Sequence, residues 1–116
     1  MITIEQLKEV KERTESLNRY LDIDGKKMQY EEEQLRTQDP GFWEDAKRAE
    51  AQMKLVKGLE KWIKGYAAVE TLASELETAY EFFREELVSE AEVDELYARA
   101  LTALEDLELK NMLRRE

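Results

Sequence analysis

The sequence predicts an all-α protein: an elongated antiparallel helical bundle, or coiled-coil hairpin, built around one long central helix. Three observations lead there. Charged residues make up 40% of the 116 positions, while four Gly and one Pro are the only strong breakers, a profile of solvated helices with narrow apolar stripes. Apolar residues recur at alternating three- and four-residue steps, and nowhere is there the two-residue alternation of a strand. The break signals cluster at Asp22–Gly25, at Asp39–Gly41 and near Ser89. The length suits one domain with a modest core, so residues 1–116 are read as a single helical domain without internal repeats.

The first helix opens with Thr3-Ile4-Glu5-Gln6, a capping box in which the Thr3 hydroxyl and the Gln6 side chain satisfy backbone donors reciprocally. Leu7, Val10, Thr14, Leu17 and Leu21 form its heptad seam. The Asp22-Ile23-Asp24-Gly25 cluster interrupts or kinks it, and a weaker helix follows from about Asp24 to Thr37, with Met28 and Leu35 as its clearest apolar positions and Tyr30 extending that face. Beyond the next break Asp45 is placed to cap a long helix, expected to run to about Leu87. Its stripe is Leu55, Leu59, Trp62, Tyr66, Val69, Ala73, Leu76, Tyr80, Phe83 and Leu87, and its length is on the order of 60 Å. Gly58 and Gly65 lie off the stripe and mark a bend or a close approach of a neighbouring helix. A second capping box, Ser89-Glu90-Ala91-Glu92, starts the last helix, whose Val93, Leu96, Ala100, Leu104 and Leu107 suit antiparallel pairing with the long one.

The corner between the second and third helices carries the most information. Pro40 lacks a backbone donor and drives Asp39 out of the helical region, and Gly41 tolerates positive φ, so the helix arriving through Leu35 and Arg36 must stop. Phe42 and Trp43 follow directly. Pro40, Phe42 and Trp43 are therefore assigned as a structural corner, with the two aromatics buried as anchors that fix the helix angle.

Composition excludes much chemistry. There is no Cys and no His, which removes thiol catalysis, disulfides, thiolate or imidazole metal sites and every imidazole-based triad. The carboxylate runs Glu31-Glu32-Glu33, Glu85-Glu86 and Asp94-Glu95 place neighbours on different helix faces, and no Asp-rich loop with a glycine pivot resembles a calcium site. No catalytic, cofactor-binding or metal-binding residue is assigned; an enzyme is not expected, nor a small-molecule ligand. Without a signal peptide or an apolar run long enough to span a bilayer, a soluble cytoplasmic protein is the expectation.

Charge points to partners. With 18 basic against 28 acidic residues the net charge is -10, which argues against RNA contact by this domain alone. The distribution is uneven: from Lys47 to Lys64 six basic residues face two acidic ones, a local +4, whereas from Glu70 to Glu108 two basic residues face thirteen acidic ones, a local -11. Lys54, Lys57, Lys61 and Lys64 repeat at three-four-three spacing on the face turned away from Leu55, Leu59 and Trp62. The stripe is either a solvated face with weak ion pairs or a docking strip for RNA or an acidic protein surface.

The heptad helix ending at Tyr20-Leu21-Asp22, the segment Asp39-Pro40-Gly41-Phe42-Trp43-Glu44-Asp45 with Arg48-Ala49 downstream, the long acidic coil and the closing Leu109-Lys110-Asn111-Met112-Leu113-Arg114-Arg115 together resemble the N-terminal domain of the bacterial peptide chain release factor 2 family, class I release factors. The Pro-x-x-Trp corner is the most specific part, and the related release factor 1 is expected to lack it. The resemblance implies a factor acting in translation termination, with this domain facing the large-subunit region where translational GTPases bind and influencing recycling, the recycling GTPase being a candidate partner. It does not carry over the family's Gly-Gly-Gln loop or Ser-Pro-Phe codon-reading motif: Gly25, Gly41, Gly58 and Gly65 never stand in tandem, and Pro40 follows Asp39. A truncated piece ending before the first β-rich domain is the expectation, with Arg114-Arg115-Glu116 as the exit of the last helix. The alternatives are a free-standing coiled-coil adaptor or chaperone-like protein, favoured by the clean heptads, and a homodimeric coiled coil.

Overall fold

The structure is a computed structural model that describes residues 1–114; Arg115 and Glu116, expected at the helix exit, lie outside the described residues. The helices are α1 (Ile4–Leu21), α2 (Ile23–Arg36), α3 (Ala46–Arg84) and α4 (Glu90–Leu113), with a 3₁₀ turn at Phe42–Glu44 and no strand among the described residues. The all-α class and the long central helix are thus as the heptad spacing implies. Contacts group the chain into two compact units, Met1–Leu21 with Tyr66–Glu116, and Asp22–Gly65. The first half of α3 belongs to the second of these and its second half to the first.

In the larger unit, α1 begins with the expected capping box: Thr3 N–H donates to Gln6 Oε1 at 2.8 Å and Gln6 N–H to Thr3 Oγ1 at 3.1 Å. Leu7, Val10, Thr14, Leu17 and Leu21 are all buried, as the seam requires. Thr14 is accommodated there because its hydroxyl donates to Val10 C=O at 2.8 Å. Tyr66 of α3 donates its phenol to Thr14 C=O at 3.2 Å, so a buried polar tip is satisfied within the core. That bond and the Lys11–Glu77 ion pair (3.0 Å) run α1 antiparallel to the second half of α3. Opposite them α4 buries Val93, Ala100, Leu104 and Leu107.

The closest helix pair is α1 with α4, and it is parallel. Ile2 N–H donates to Asp94 Oδ1 at 3.0 Å at one end. Arg13 grips Glu108 with two nitrogens in the middle, Nε at 3.1 Å. At the far end Arg114 Nη2 donates to Tyr20 C=O at 3.3 Å, occupying a carbonyl in the last turn of α1. Asn111, buried on the α4 seam, accepts from Arg114 Nε at 2.9 Å and holds that guanidinium in place.

The long helix stops three residues before the expected Leu87. Leu87 N–H donates to Phe82 C=O at 2.8 Å and Glu86 N–H to Phe83 C=O at 2.9 Å, with Glu86 at φ 61. This is a Schellman ending whose left-handed position holds Glu instead of Gly, so its usual sequence signal is missing. Leu87 lies outside the helix and is 66% exposed, which removes it from the expected stripe. Ser89 then caps α4, accepting from Glu92 N–H at 3.2 Å.

In the smaller unit, Asp22 adopts φ 49, ψ 59, ends α1 and caps α2 by accepting from Gly25 N–H at 3.2 Å. Glycine at 25 is required by this cap, because a Cβ there would lie 2.2 Å from Asp22 Oδ2. Met28 and Leu35, taken from the sequence as the apolar face of α2, are exposed; Ile23 and Glu33 are buried instead. Glu33 accepts from Gln52 Nε2 of α3, and the same amide reaches Glu33 C=O at 3.3 Å, so a polar pair occupies the place expected of an apolar one. Tyr30 is half-buried and accepts from Gln34 Nε2 at 2.9 Å. On α3 the buried position is Val56, with Ala49 a heptad earlier, and Leu55 is exposed. The expected stripe is therefore displaced at its first position, where Val56 takes the place of Leu55. Further along, Leu59, Tyr66, Val69, Ala73 and Leu76 are buried as expected, whereas Ala79 is buried and Tyr80 only half-buried.

Two stability changes follow from these ends and gaps. A Cβ built on Gly58 meets nothing within 4 Å, so no helix approaches there and Gly58→Ala is expected to stabilise the protein by about 1 kcal/mol through helix propensity. Glu86→Gly is expected to add about 1 kcal/mol by removing the left-handed penalty of a side-chain-bearing residue. Urea denaturation checks both, and a lower midpoint for either variant contradicts its assignment.

Candidate functional site

The two features singled out from the sequence, the structural corner at Pro40 and the lysine stripe, both fall in the Asp22–Gly65 unit. The corner forms as a sequence of short-range hydrogen bonds. Thr37 closes α2 by donating its hydroxyl to Gln34 C=O at 2.7 Å. Asp39 Oδ1 accepts from Gly41 N–H at 3.0 Å and Asp39 C=O from Phe42 N–H at 2.9 Å, an Asx turn that leads into the 3₁₀ segment. Asp45 then caps α3 as expected, accepting from Arg48 N–H at 3.2 Å. Gly41 sits at φ -78, so its freedom at positive φ is not used.

The aromatic anchor expected at this corner is corrected by the geometry. Trp43 is 61% exposed and Phe42 half-buried, the two rings meeting edge to face at 4.8 Å and 89°. Phe42 supports Trp43 and the turn hydrogen bonds hold the corner, so Trp43 presents most of its indole to solvent. Sequence alone could not separate the cases: an aromatic beside a turn is equally compatible with core and surface, and only the direction set by the 3₁₀ turn decides. Beside it lies a groove of about 540 Å³ lined by Arg36, Asp39, Phe42, Glu44, Asp45, Arg48 and Gln52. Asp39 and Asp45 are occupied with backbone N–H groups, and among the described residues no group of three or more metal-binding side chains converges. The groove has the mixed charge of a contact surface and lacks a nucleophile–base pair.

Lys54, Lys57, Lys61 and Lys64 are all exposed on α3. Lys47, one heptad before Lys54, extends the same side. Lys54 lies 3.8 Å from Glu50, and Lys64 is hydrogen-bonded to Glu60, which holds its pKa above the ordinary lysine value. A raised lysine pKa keeps the charge in place at neutral pH; the pairing is lost only as pH rises through that raised value. Lys57 and Lys61 have no ion-pair partner among the described residues. Gly58 is exposed between Lys57 and Lys61, and nothing lies within 4 Å of a Cβ built there, so the neighbouring helix that its off-stripe place suggested does not approach.

No protein-family model matches the chain. Curated relatives do match it. It is 36% identical over 110 residues to a protein of Tolumonas auensis, covering 92% of this chain and 28% of that one. It is 36% identical over 117 residues to one of Aeromonas salmonicida (94% and 30%), and 35% identical over 107 residues to one of Proteus mirabilis (90% and 27%). Each of these is a peptide chain release factor 2. The chain spans less than a third of the length of these relatives.

The exposed indole carries its own test. Trp43→Ala is expected to change stability by no more than about 1 kcal/mol, because little buried surface is lost. In acrylamide quenching, Trp43 is expected to be the more accessible of the two tryptophans, since Trp62 is half-buried. A loss of several kcal/mol, or a Trp43 signal shielded from quencher, would restore the buried anchor.

Proposed function

The chain is a relative of bacterial peptide chain release factor 2 over 92% of its length, and from that we propose that it is the N-terminal, non-catalytic domain of a translation termination factor, which positions or recycles the factor on the ribosome. The observation that carries the reading is the asymmetry of the match, nearly complete for this chain and 28% for the relative. The parts of the family resemblance that perform chemistry, the Gly-Gly-Gln loop and the Ser-Pro-Phe motif, have no counterpart in these residues. What remains is a surface. The lysine strip Lys54, Lys57, Lys61 and Lys64 is the docking strip in this proposal, directed at the large-subunit region where translational GTPases bind, and Trp43 is an accessible aromatic contact of the kind that concentrates binding energy at interfaces. The recycling GTPase is the candidate protein partner.

Interactions made before the chemical step alter association without changing the barrier from the bound state. Simultaneous charge reversal of Lys54, Lys57, Lys61 and Lys64 in a full-length factor carrying this domain is therefore expected to weaken ribosome association or slow turnover, more so at low salt. The single-turnover release rate at saturation should stay almost unchanged. The chain by itself should release no peptide from ribosomes stalled at any stop codon. Reconstituted termination at two ionic strengths measures all three quantities: unchanged association and recycling would reduce the strip to a solvated face, and a large drop in saturated release by a folded variant would place this domain in the chemical step.

A further inference from the structure

We propose that the outer face of α3 around Gly58 docks the sugar–phosphate backbone of RNA; this rests on the ribosomal role proposed above and names the class of partner for it. Two independent features meet on this face. The first is Gly58 itself, placed in mid-helix where glycine weakens the structure. Nothing lies within 4 Å of a Cβ built there, so no packing among the described residues calls for a glycine. A bare patch of helix backbone is what a second backbone needs in order to approach closely.

The second feature is the charge around the patch. Lys54 lies one turn before Gly58, Lys57 adjoins it, Lys61 follows three residues later and Lys64 continues the row. From Lys54 to Lys64 the helix rises about 15 Å, enough to follow several consecutive phosphates. Lysines act as point charges on flexible stems and neutralise phosphates without regard to base sequence. The two arginines of this unit, Arg36 and Arg48, line the corner groove instead. Lys57 and Lys61, the residues nearest the bare patch, have no ion-pair partner among the described residues.

The net charge of the whole chain argues against RNA contact only as an average. Residues 22–65 carry nine basic against ten acidic groups, and the remainder of the chain nine against eighteen. Because exposed charges are largely screened beyond about 10 Å at 0.1 M salt, the local balance governs what this face attracts. The acidic excess elsewhere keeps the contact weak and salt-sensitive, as suits a factor that must leave.

Fluorescence anisotropy with a fluorescein-labelled RNA duplex of roughly 20 base pairs and arbitrary sequence tests this at salt from about 50 to 200 mM. Binding is expected to weaken with salt at a log–log slope of about -3, the signature of three to four neutralised phosphates. Lys57→Glu with Lys61→Glu should lower affinity about tenfold or more, and Lys57→Arg with Lys61→Arg should retain it. Gly58→Leu should lower affinity at least about threefold by holding the backbone off, while its circular dichroism and urea midpoint stay at or above those of the parent. Full affinity in folded Gly58→Leu would overturn the close approach, and no binding at the lowest salt would overturn RNA as partner. A labelled polyglutamate peptide that binds as tightly as the duplex through the same lysines would replace RNA with an acidic protein. If charge reversal slows recycling of the full-length factor without affecting duplex binding, the RNA assignment fails alone; if it affects neither, the docking role fails with it.

Discussion

One uninterrupted helix supplies a wall to both cores of this protein, and its continuity is the constraint on which the remaining elements depend. The 39 residues of α3 bury Ala49, Val56 and Leu59 within the Asp22–Gly65 unit and Tyr66, Val69, Ala73 and Leu76 within the other. Against the first set packs α2, and against the second α1 and α4. As in most proteins, these shorter helices draw most of their stability from packing an apolar face and not from propensity alone. The polar contacts then choose among the ways of packing: Tyr66 to Thr14 sets α1 against α3, and Arg13 to Glu108 sets α4 beside α1. The Arg13 guanidinium, its pKa raised chiefly by the Glu108 hydrogen bond, stays charged at every pH the fold meets, so this clamp does not titrate on the arginine side.

The connections are made with strained or short-range devices in place of glycine. Positive φ occurs at Asp22 and Glu86, and no glycine among the described residues uses it. Asp22 is suited to its place because a short carboxylate can fold back to Gly25 N–H while the backbone is left-handed. Glu86 has no such local compensation, and there the hydrogen bonds from Leu87 and Glu86 back to Phe82 and Phe83 hold the conformation. Helix ends are thus satisfied donor by donor and acceptor by acceptor, by side chains as much as by turn-forming residues.

The surface follows from the same economy of packing. Because α3 commits one side to the core, its opposite side is free to carry lysines, and the corner that admits α3 leaves Trp43 outside. The helix fixes where the lysine Cα atoms stand, while the exposed side chains keep their rotamer freedom.

The sequence by itself determined the helices, because the information for them is local: heptad spacing fixes which side of a helix is apolar, and the Thr3, Asp45 and Ser89 caps bond to groups three residues away. It determined the lysine face for the same reason, since residues three and four apart must share a side. Only the tertiary structure decided the rest. Leu55 and Val56 are adjacent and both apolar, so periodicity could not say which is buried until α2 took its place; Met28 and Leu35 lost the core to Glu33 because Gln52 arrived with an amide to satisfy it. Trp43 and Leu87 remained outside because the backbone directions after Gly41 and Glu86 carry them there. The parallel placement of α1 beside α4 depends on bonds between residues more than ninety positions apart, and no local pattern encodes a partner at that distance.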